Sequence, residues 1–498
     1  MFIAYDIKNG IEYGKLITSK RVAGKVKKDY INLGRVLDKD RGIFQNRRQG
    51  VFIYDLKTNT FSSPPTDFVP QIINRNKKEQ LILDFGDTFF LNDFITKNNL
   101  NSVIDALGYG NPDTLYAMLN YYILCNMANC HAETWWEGNF ARVLYPKANL
   151  SSQRISDFLA SIGSEHSQRA FFHEYFKTMS NSGIDFSNTL IDSTGLPNSV
   201  RFPLSAVSNR NGEISNEVRL IYIVQQETGI PIYFRYCASN IIDSTTLLRC
   251  IAEMKAQCVN VKCAILDAGY YSDENLHDMF VQNISFVTRM KSNRIEYKKL
   301  VSEHLETLQA RENLVDYNGR YVYIKCVPIE MLGHQAYAYL GLDIERKSME
   351  ANKTFRTAKD KKLNPGQVFD ELQKQGVFVL LSSEKIATNK ILPLYYMRQQ
   401  IEQVFDIGKN YADMLPIRVH NEDTFRGHLV LTFLATIVIK QIQNALLNTS
   451  ITPISLFANL RNHKCKVFGN KIITQEAFRK VNDSYKLFKV DCPVEIPC

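Results

Sequence analysis

Residues 216–267 read NEVRLIYIVQQETGIPIYFRYCASNIIDSTTLLRCIAEMKAQCVNVKCAILD and carry the clearest fold signal in the chain. The segment predicts, in order, a strand, a turn at ETGIP, a second strand, a helix and a third strand. The last strand, CAIL, is a short apolar run that ends on Asp267. Such a run is typical of a buried strand that delivers a side chain where the chain leaves the sheet. The order of elements predicts an α/β fold.

A second aspartate has the same setting upstream. Asp192 follows the short apolar run Thr-Leu-Ile and precedes Ser-Thr-Gly-Leu-Pro, so we expect another buried strand that ends at a carboxylate. In open α/β sheets, ligands collect at the edge where such strands end. Two aspartates placed there are costly to keep ionised unless a cation neutralises them. The pair therefore predicts a divalent metal site. Asp243, which precedes a helical pattern, is interpreted as an N-cap.

A third candidate segment, YYMRQQIEQVFDIGK at 395–409, predicts one continuous helix with a polar face. With Glu402 as origin and about 100° per residue, the other polar residues fall within roughly 40° of it. This face carries Tyr395, Arg398, Glu402 and Lys409. A third carboxylate among phosphate-binding groups suits magnesium or manganese beside a nucleic-acid backbone. The alternative is a surface helix stabilised by an Arg398/Glu402 pair four residues apart.

The pattern Tyr395-x2-Arg398-x3-Glu402-x6-Lys409, with Asp192 in IDSTG and Asp267 in LDAGYYS, resembles the DDE transposases of bacterial insertion sequences, in the IS-four superfamily. The segments LPIRVHNEDTFRGH and LSSQRISDFL add to the resemblance. It implies a DNA transposase that cleaves insertion-sequence ends and transfers the strand into target DNA by a cut-and-paste, two-metal mechanism. Asp192, Asp267 and Glu402 would be the catalytic residues and hold two Mg²⁺ (or Mn²⁺) ions. Tyr395, Arg398 and Lys409 would bind DNA.

The resemblance also implies a domain organisation. It predicts an RNase H-like catalytic core, a mixed sheet flanked by helices, interrupted by a β-rich insertion domain. The residue patterns before the core predict a β-containing and then a helical N-terminal region. The expected divisions are a small β-rich basic region at 1–65, a helical domain that binds DNA ends at 98–180, the core at 185–294 and 391–450, the insertion at 295–390 and a C-terminal region at 451–498.

The charge pattern agrees with a DNA partner. The 498-residue chain has a formal net charge of +9. Cationic residues crowd its first fifty positions, among them Lys15, Lys20, Arg21, Lys25, Lys27, Lys28, Arg35, Arg41, Arg47 and Arg48. Such a cluster is either a solvated face or a nucleic-acid contact.

The expected partners are double-stranded DNA, as transposon terminal inverted repeats and target DNA, and a second copy of the chain in a synaptic homodimer. No membrane partner is expected, because the most apolar run, LVLTFLATIVI, is too short to span a bilayer. The ten cysteines form no disulfide framework and no secretion signal is recognised, which favours a cytoplasmic, bacterial location.

Two other function classes remain open. The chain could be a catalytically silent DNA-binding protein derived from a transposase, although three intact carboxylates argue against it. It could also be a metal-dependent phosphoesterase that acts on small substrates, although the polar row on the 395–409 helix and the long segment before it favour a polymeric substrate.

Overall fold

The computed structural model describes residues 1–8, 11–22, 25–46, 49–64, 68, 81–198, 205–210, 213–361, 364–419, 421–469 and 471–497. Arg47 and Arg48 of the basic cluster and Pro65 of the first predicted domain lie outside these ranges. The chain divides into two compact units, Met1–Leu81 and Ile82–Cys498.

The first unit is an antiparallel meander of six strands within the described residues. Its strands are β1 (Phe2–Lys8), β2 (Ile11–Val22), β3 (Lys25–Asp38), β4 (Ile43–Asn46), β5 (Gly50–Asp55) and β6 (Thr60–Ser62). Leu16, Leu33, Phe44, Phe52 and Tyr54 form its small core. A sheet this size with a single apolar face leaves much of its surface to solvent.

The second unit begins with a short strand and a helical region. These elements are β7 (Leu81–Asp84), α1 (Gly86–Lys97), α2 (Asn101–Asp105), α3 (Pro112–Leu124), α4 (Ala132–Gly138), α5 (Ala141–Leu144), α6 (Ser152–Ile162) and α7 (Glu165–Asn181). The apolar faces of α6 and α7 are buried in the core. Three exposed cations of these two helices are engaged with carboxylates of their own helix: Arg154, Arg169 and Lys177.

The central sheet follows. Its first elements are β8 (Asn188–Pro197), β9 (Ala206–Arg210), β10 (Glu213–Gln225), β11 (Pro231–Ala238), α8 (Leu247–Ala256), β12 (Cys263–Leu266), α9 (Asp273–Val281) and β13 (Ser285–Arg289). The strand order is β11-β10-β8-β12-β13. β8 and β10 are antiparallel, whereas β12 runs parallel to both β8 and β13. The predicted α/β class, a mixed sheet with helices, is confirmed.

The segment predicted as an insertion contributes strands to this same sheet. It contains α10 (Ile295–Leu308), β14 (Leu314–Tyr317), β15 (Arg320–Met331), β16 (His334–Asp343), α11 (Ile344–Lys361), α12 (Pro365–Lys374) and β17 (Val377–Ser382). β17 pairs antiparallel with β13, and β16, β15 and β14 follow outward. The strands of 295–390 are thus hydrogen-bonded to those of the preceding segment in one continuous sheet.

The remaining elements cover the sheet and close the chain. They are α13 (Thr388–Tyr396), α14 (Gln399–Tyr411), α15 (Glu422–Ala445), α16 (Pro453–Arg461), β18 (Lys464–Phe468), β19 (Lys471–Thr474), α17 (Arg479–Leu487) and β20 (Glu495–Pro497). β20, β19, β18 and β7 form a separate small sheet in that order.

Helix α15 is the central helix of the second unit. It is 24 residues long and apolar enough to cross a membrane by composition, but 89% of its most apolar window is buried inside the protein. Its Phe433 ring lies 5.0 Å from that of Phe234 and 5.6 Å from that of Tyr222, measured between centroids. Such burial by protein side chains is what a core helix shows.

Candidate active site

The two aspartates lie side by side where the pairing of two parallel strands ends. The β8–β12 ladder runs from Asn188 opposite Cys263 to Ile191 opposite Leu266, and Asp192 and Asp267 are the next residue on each strand. β12 stops there, as predicted. The predicted end of the other strand at Asp192 is wrong, because β8 continues to Pro197 by pairing with β10 on its other side.

Arg398 brings the three predicted carboxylates together. Its Nη1 lies 2.8 Å from Oδ2 of Asp192 and 3.3 Å from Oδ1 of Asp267, and its Nη2 lies 3.6 Å from Oε1 of Glu402. The Asp192 side chain is only 15% exposed, whereas that of Glu402 is 59% exposed. One guanidinium is therefore shared by an inner aspartate and two more accessible acids.

The single helix predicted for 395–409 is wrong. α13 ends at Tyr396 and α14 begins at Gln399, so Arg398 lies in the turn between two helices. The local bonds are of the tight i to i−3 type, from the Arg398 amide to Tyr395 O and from the Ile401 amide to Arg398 O. This tightening changes the angular spacing that a regular helix would give. Arg398 and Glu402 nevertheless remain within reach of each other.

Burial dominates the electrostatics of the inner aspartate. It raises the pKa of Asp192 to about 6, against the lowering effect of Arg398 and of the Ser193 amide, which donates to Oδ1 at 2.8 Å. The neighbouring charges of Asp267 and Asp243 raise this pKa further. A cation beside Asp192 therefore determines whether its charged form is stable.

Tyr395 and Lys409, the other two residues of the predicted polar face, have different surroundings. Tyr395 is 5% exposed, and burial raises its pKa to about 12, so its hydroxyl stays protonated at neutral pH. The Arg398 guanidinium lies over its ring, 5.9 Å from the centroid. Lys409 donates from Nζ to Oγ1 of Thr194 at 2.6 Å, which ties α14 to β8 two residues beyond Asp192.

A family profile described as the transposase DDE domain matches residues 187–438, half of the chain, and this range contains all six predicted site residues. The chain belongs to the transposase DDE domain family. No curated protein sequence matches it. A cryo-EM structure of the piggyBac transposase synaptic complex with hairpin DNA aligns over 77% of this chain and 82% of its own, with 10% identity and a TM-score of 0.40, a likeness too weak to bear on the fold.

In this transposase domain, the interpretation of Asp243 as an N-cap is wrong. Its side chain caps no helix; it accepts a hydrogen bond of 2.7 Å from Ser193 Oγ and pairs with the Arg219 guanidinium. Arg219 and Asp243 are 11% and 21% exposed. Gly269 permits this approach, because a Cβ there would lie 3.1 Å from Oδ2 of Asp243. Asp243 thus holds the residue after Asp192, and no spacing in the sequence marks it.

A cationic cleft of about 1070 Å³ adjoins Asp267 in the transposase domain. It lies beside α10 and the ends of β13 and β17. Five cationic side chains line it: Arg289, Lys291, Lys298, Arg346 and Lys374. The cleft was not predicted, because it is assembled from segments that the sequence analysis assigned to different domains.

The donor chemistry of the site fits a divalent metal ion of the kind that DDE transposase domains generally require. Three carboxylates surround one cationic group, and oxygen donors of this type are the ligands that Mg²⁺ and Mn²⁺ prefer. Across the described ranges, no three His, Cys, Asp or Glu side chains lie close enough together to hold an ion as they stand. The Arg398 guanidinium lies among the three acids instead.

Proposed function

We propose that this chain is a DNA transposase of the IS-four superfamily that cuts the ends of an insertion sequence and joins them to target DNA. The observation that carries the proposal is the convergence of Asp192, Asp267 and Glu402 on the Arg398 guanidinium at the end of a parallel strand pair. Membership of the transposase DDE domain family supports it.

The core would be RNase H-like. The strand order β11-β10-β8-β12-β13, antiparallel on one side of β8 and parallel on the other, supports this assignment. The segment 295–390 would be the insertion, and the helical segment 98–180 would contact DNA ends.

Asp192, Asp267 and Glu402 would hold two divalent ions, Mg²⁺ or Mn²⁺. The bound ions would supply charge stabilisation at the phosphate and an activated water. The water oxygen would bond to phosphorus while the 3′ oxygen leaves with a proton, so that a free 3′-hydroxyl results. That hydroxyl would then displace the 3′ oxygen of a target phosphodiester in the same way.

The chain's own cations would hold the DNA. Arg398, once released from the acids, can bind a phosphate with two parallel hydrogen bonds, and Lys409 can neutralise a second phosphate. The protonated Tyr395 hydroxyl can donate to a phosphate oxygen. The cleft beside Asp267 would take a strand of double-stranded DNA, since five cationic groups line it. A homodimer would synapse two ends, in the bacterial cytoplasm.

The test is cleavage of a labelled duplex that carries the element's own ends, with Mg²⁺ or Mn²⁺. Wild type is compared with Asp192→Asn and Glu402→Gln, and Asp406→Asn is the matched control because Asp406 is exposed on the same helix as Glu402. We expect metal-dependent cleavage in wild type and Asp406→Asn, and its loss in the other two with DNA binding retained.

Other results would contradict the proposal. Binding without cleavage by wild type under both metals would favour a silent DNA-binding protein. Hydrolysis of small phosphodiesters without action on duplex ends would favour a phosphoesterase. Cleavage that survives both Asp192→Asn and Glu402→Gln would place the active site elsewhere.

A further inference from the structure

The β2–β3 hairpin of the first unit extends beyond the other strands of its sheet. β1 accompanies β2 only as far as Ile17, which lies opposite Phe2, and β4 pairs with β3 only from Arg35 onward. Residues 18–22 and 25–29 therefore pair only with each other in the described part of the chain. We call these two segments the arm.

The arm carries cationic side chains on both of its faces. Lys20 and Lys27 lie directly opposite each other, on the face that continues from the core residue Leu16. Arg21 and Lys28 lie on the other face, where they are diagonal neighbours. All four cationic side chains are exposed.

Charge within the arm is poorly compensated. No ion pair joins these four cations to a carboxylate among the described residues, although Asp29, opposite Thr18, lies in the arm. Like charges directly opposite on a sheet destabilise it. The Lys20/Lys27 pair is therefore unfavourable in the free protein and becomes favourable beside a polyanion.

The shape of the arm selects among polyanions. A two-stranded ribbon fits the major groove of B-form DNA, whose two phosphate backbones flank it on either side. The deep, narrow major groove of an RNA duplex does not admit it. Apolar side chains are also exposed on β3: Val26 at 57%, Tyr30 at 62% and Ile31 at 52%.

We propose that the arm is a DNA-binding element that lies in a groove of duplex DNA and neutralises phosphates of both strands with its two faces. This site belongs to the first unit, whereas the carboxylates belong to the second, and it goes beyond the proposed catalytic function. It assigns the first unit of the chain to holding DNA, through contacts that are chiefly electrostatic.

The test measures the affinity of the full chain for a labelled DNA duplex by fluorescence anisotropy, in EDTA so that no cleavage occurs, over a series of salt concentrations. The variant carries Lys20→Gln, Arg21→Gln, Lys27→Gln and Lys28→Gln. The matched control removes four exposed cations from and just after α17: Arg479→Gln, Lys480→Gln, Lys486→Gln and Lys489→Gln. A third protein replaces residues 19–28 with Asn-Gly, the turn that suits a two-residue hairpin loop between Thr18 and Asp29.

We expect the arm variant and the shortened hairpin to bind duplex DNA at least about tenfold more weakly than the control at moderate salt. The slope of log Kd against log salt should fall by about three to four, because each lost phosphate contact removes close to one unit. Normal circular dichroism would accompany this loss.

Three results would overturn the proposal. Equal weakening in the α17 control would mean that net charge alone sets the affinity. An unchanged Kd in both arm proteins would mean that the arm does not contact DNA. If the arm variant loses as much affinity for a single-stranded RNA as for the DNA duplex, the arm binds any polyanion. The binding test does not depend on cleavage, so a wild type that never cuts DNA leaves it valid.

Discussion

Nη1 of Arg398 donates a hydrogen bond of 2.8 Å to Oδ2 of Asp192. This bond joins the turn between α13 and α14 to the middle of strand β8, across 206 residues of sequence. A guanidinium and a metal ion are attracted by the same carboxylates, so we expect the two to compete for one position. Arg398 is thus the internal counter-ion of the acids in this structure, and we expect that a divalent ion bound by these acids would displace it.

We expect Arg398→Gln to lower the free energy of unfolding in EDTA by about 2 kcal/mol, since it leaves a buried carboxylate without its partner. Mn²⁺ should then raise the unfolding temperature of the variant more than that of wild type, because no side chain has to be displaced. Thermal denaturation with and without Mn²⁺ measures both effects. Arg154→Gln, on the surface of α6, is the control. An identical Mn²⁺ shift in wild type and Arg398→Gln would show that the guanidinium and the metal do not compete.

A second prediction concerns the Arg219/Asp243 ion pair beside the candidate active site. A double-mutant cycle of Arg219→Gln and Asp243→Asn should give a coupling energy of about 1–3 kcal/mol, because both side chains are largely buried and each would otherwise be left unpaired. Urea denaturation of the four proteins measures it. The Arg154/Asp157 pair, at 62% and 46% exposure, is the matched control and should couple by less than about 1 kcal/mol. Equal coupling energies in the two pairs would show that Asp243 does not stabilise β8 next to Asp192.

The sequence predicted most strands and helices of the core, because these elements depend on residue patterns that are short in sequence. Apolar runs before Asp192 and Asp267 placed both acids at one edge of the sheet, and the structure brings Glu402 to the same place. What the sequence did not predict depends on partners distant in the chain. The continuation of β8 requires β10, and the extension of the sheet beyond β13 requires β17.

The break in the helix before α14 and the role of Asp243 were also not predicted, because both depend on contacts that the sequence pattern does not show. Residues 395–409 are helical on either side of Arg398. The tight turn at Arg398 is recognised only from its backbone hydrogen bonds. Asp243 precedes a helix and therefore has the sequence context of a cap. Its actual partners, Ser193 and Arg219, lie on two strands that only the folded sheet brings near it.

A third prediction uses the pH dependence of stability. Burial raises the pKa of Asp413 to about 7, against the lowering effect of Arg418. The native state therefore holds a proton that the unfolded chain releases from about pH 4 upward, so this group lowers stability as the pH rises from about 4 to about 7. Asp413→Asn removes the effect, and asparagine tolerates the left-handed backbone at this position, where φ is 53°.

The variant should be more stable than wild type by about 4 kcal/mol at pH 8, because the pKa is raised by about three units and each unit corresponds to about 1.4 kcal/mol, and nearly equal to it at pH 4. Urea denaturation at the two pH values measures the difference. Asp491→Asn, at an exposed position, should show no such trend. A difference that stays constant between pH 4 and pH 8 would mean that the pKa of Asp413 is the same in the folded and unfolded states, so that burial does not raise it.

The fourth prediction tests the packing of α6 on α15. A Cβ on Gly427 would lie 1.8 Å from the carbonyl oxygen of Leu159 and 2.6 Å from its carbonyl carbon, so Gly427→Ala forces two helix backbones apart. We expect a loss of about 3 kcal/mol or more in the free energy of unfolding, measured by chemical denaturation. Gly138→Ala, at the end of α4, is the matched control, because no atom beyond its chain neighbours and its own helix backbone lies within 4 Å of the added methyl group. Equal stability of the two variants would show that α6 and α15 are not held in backbone contact in solution.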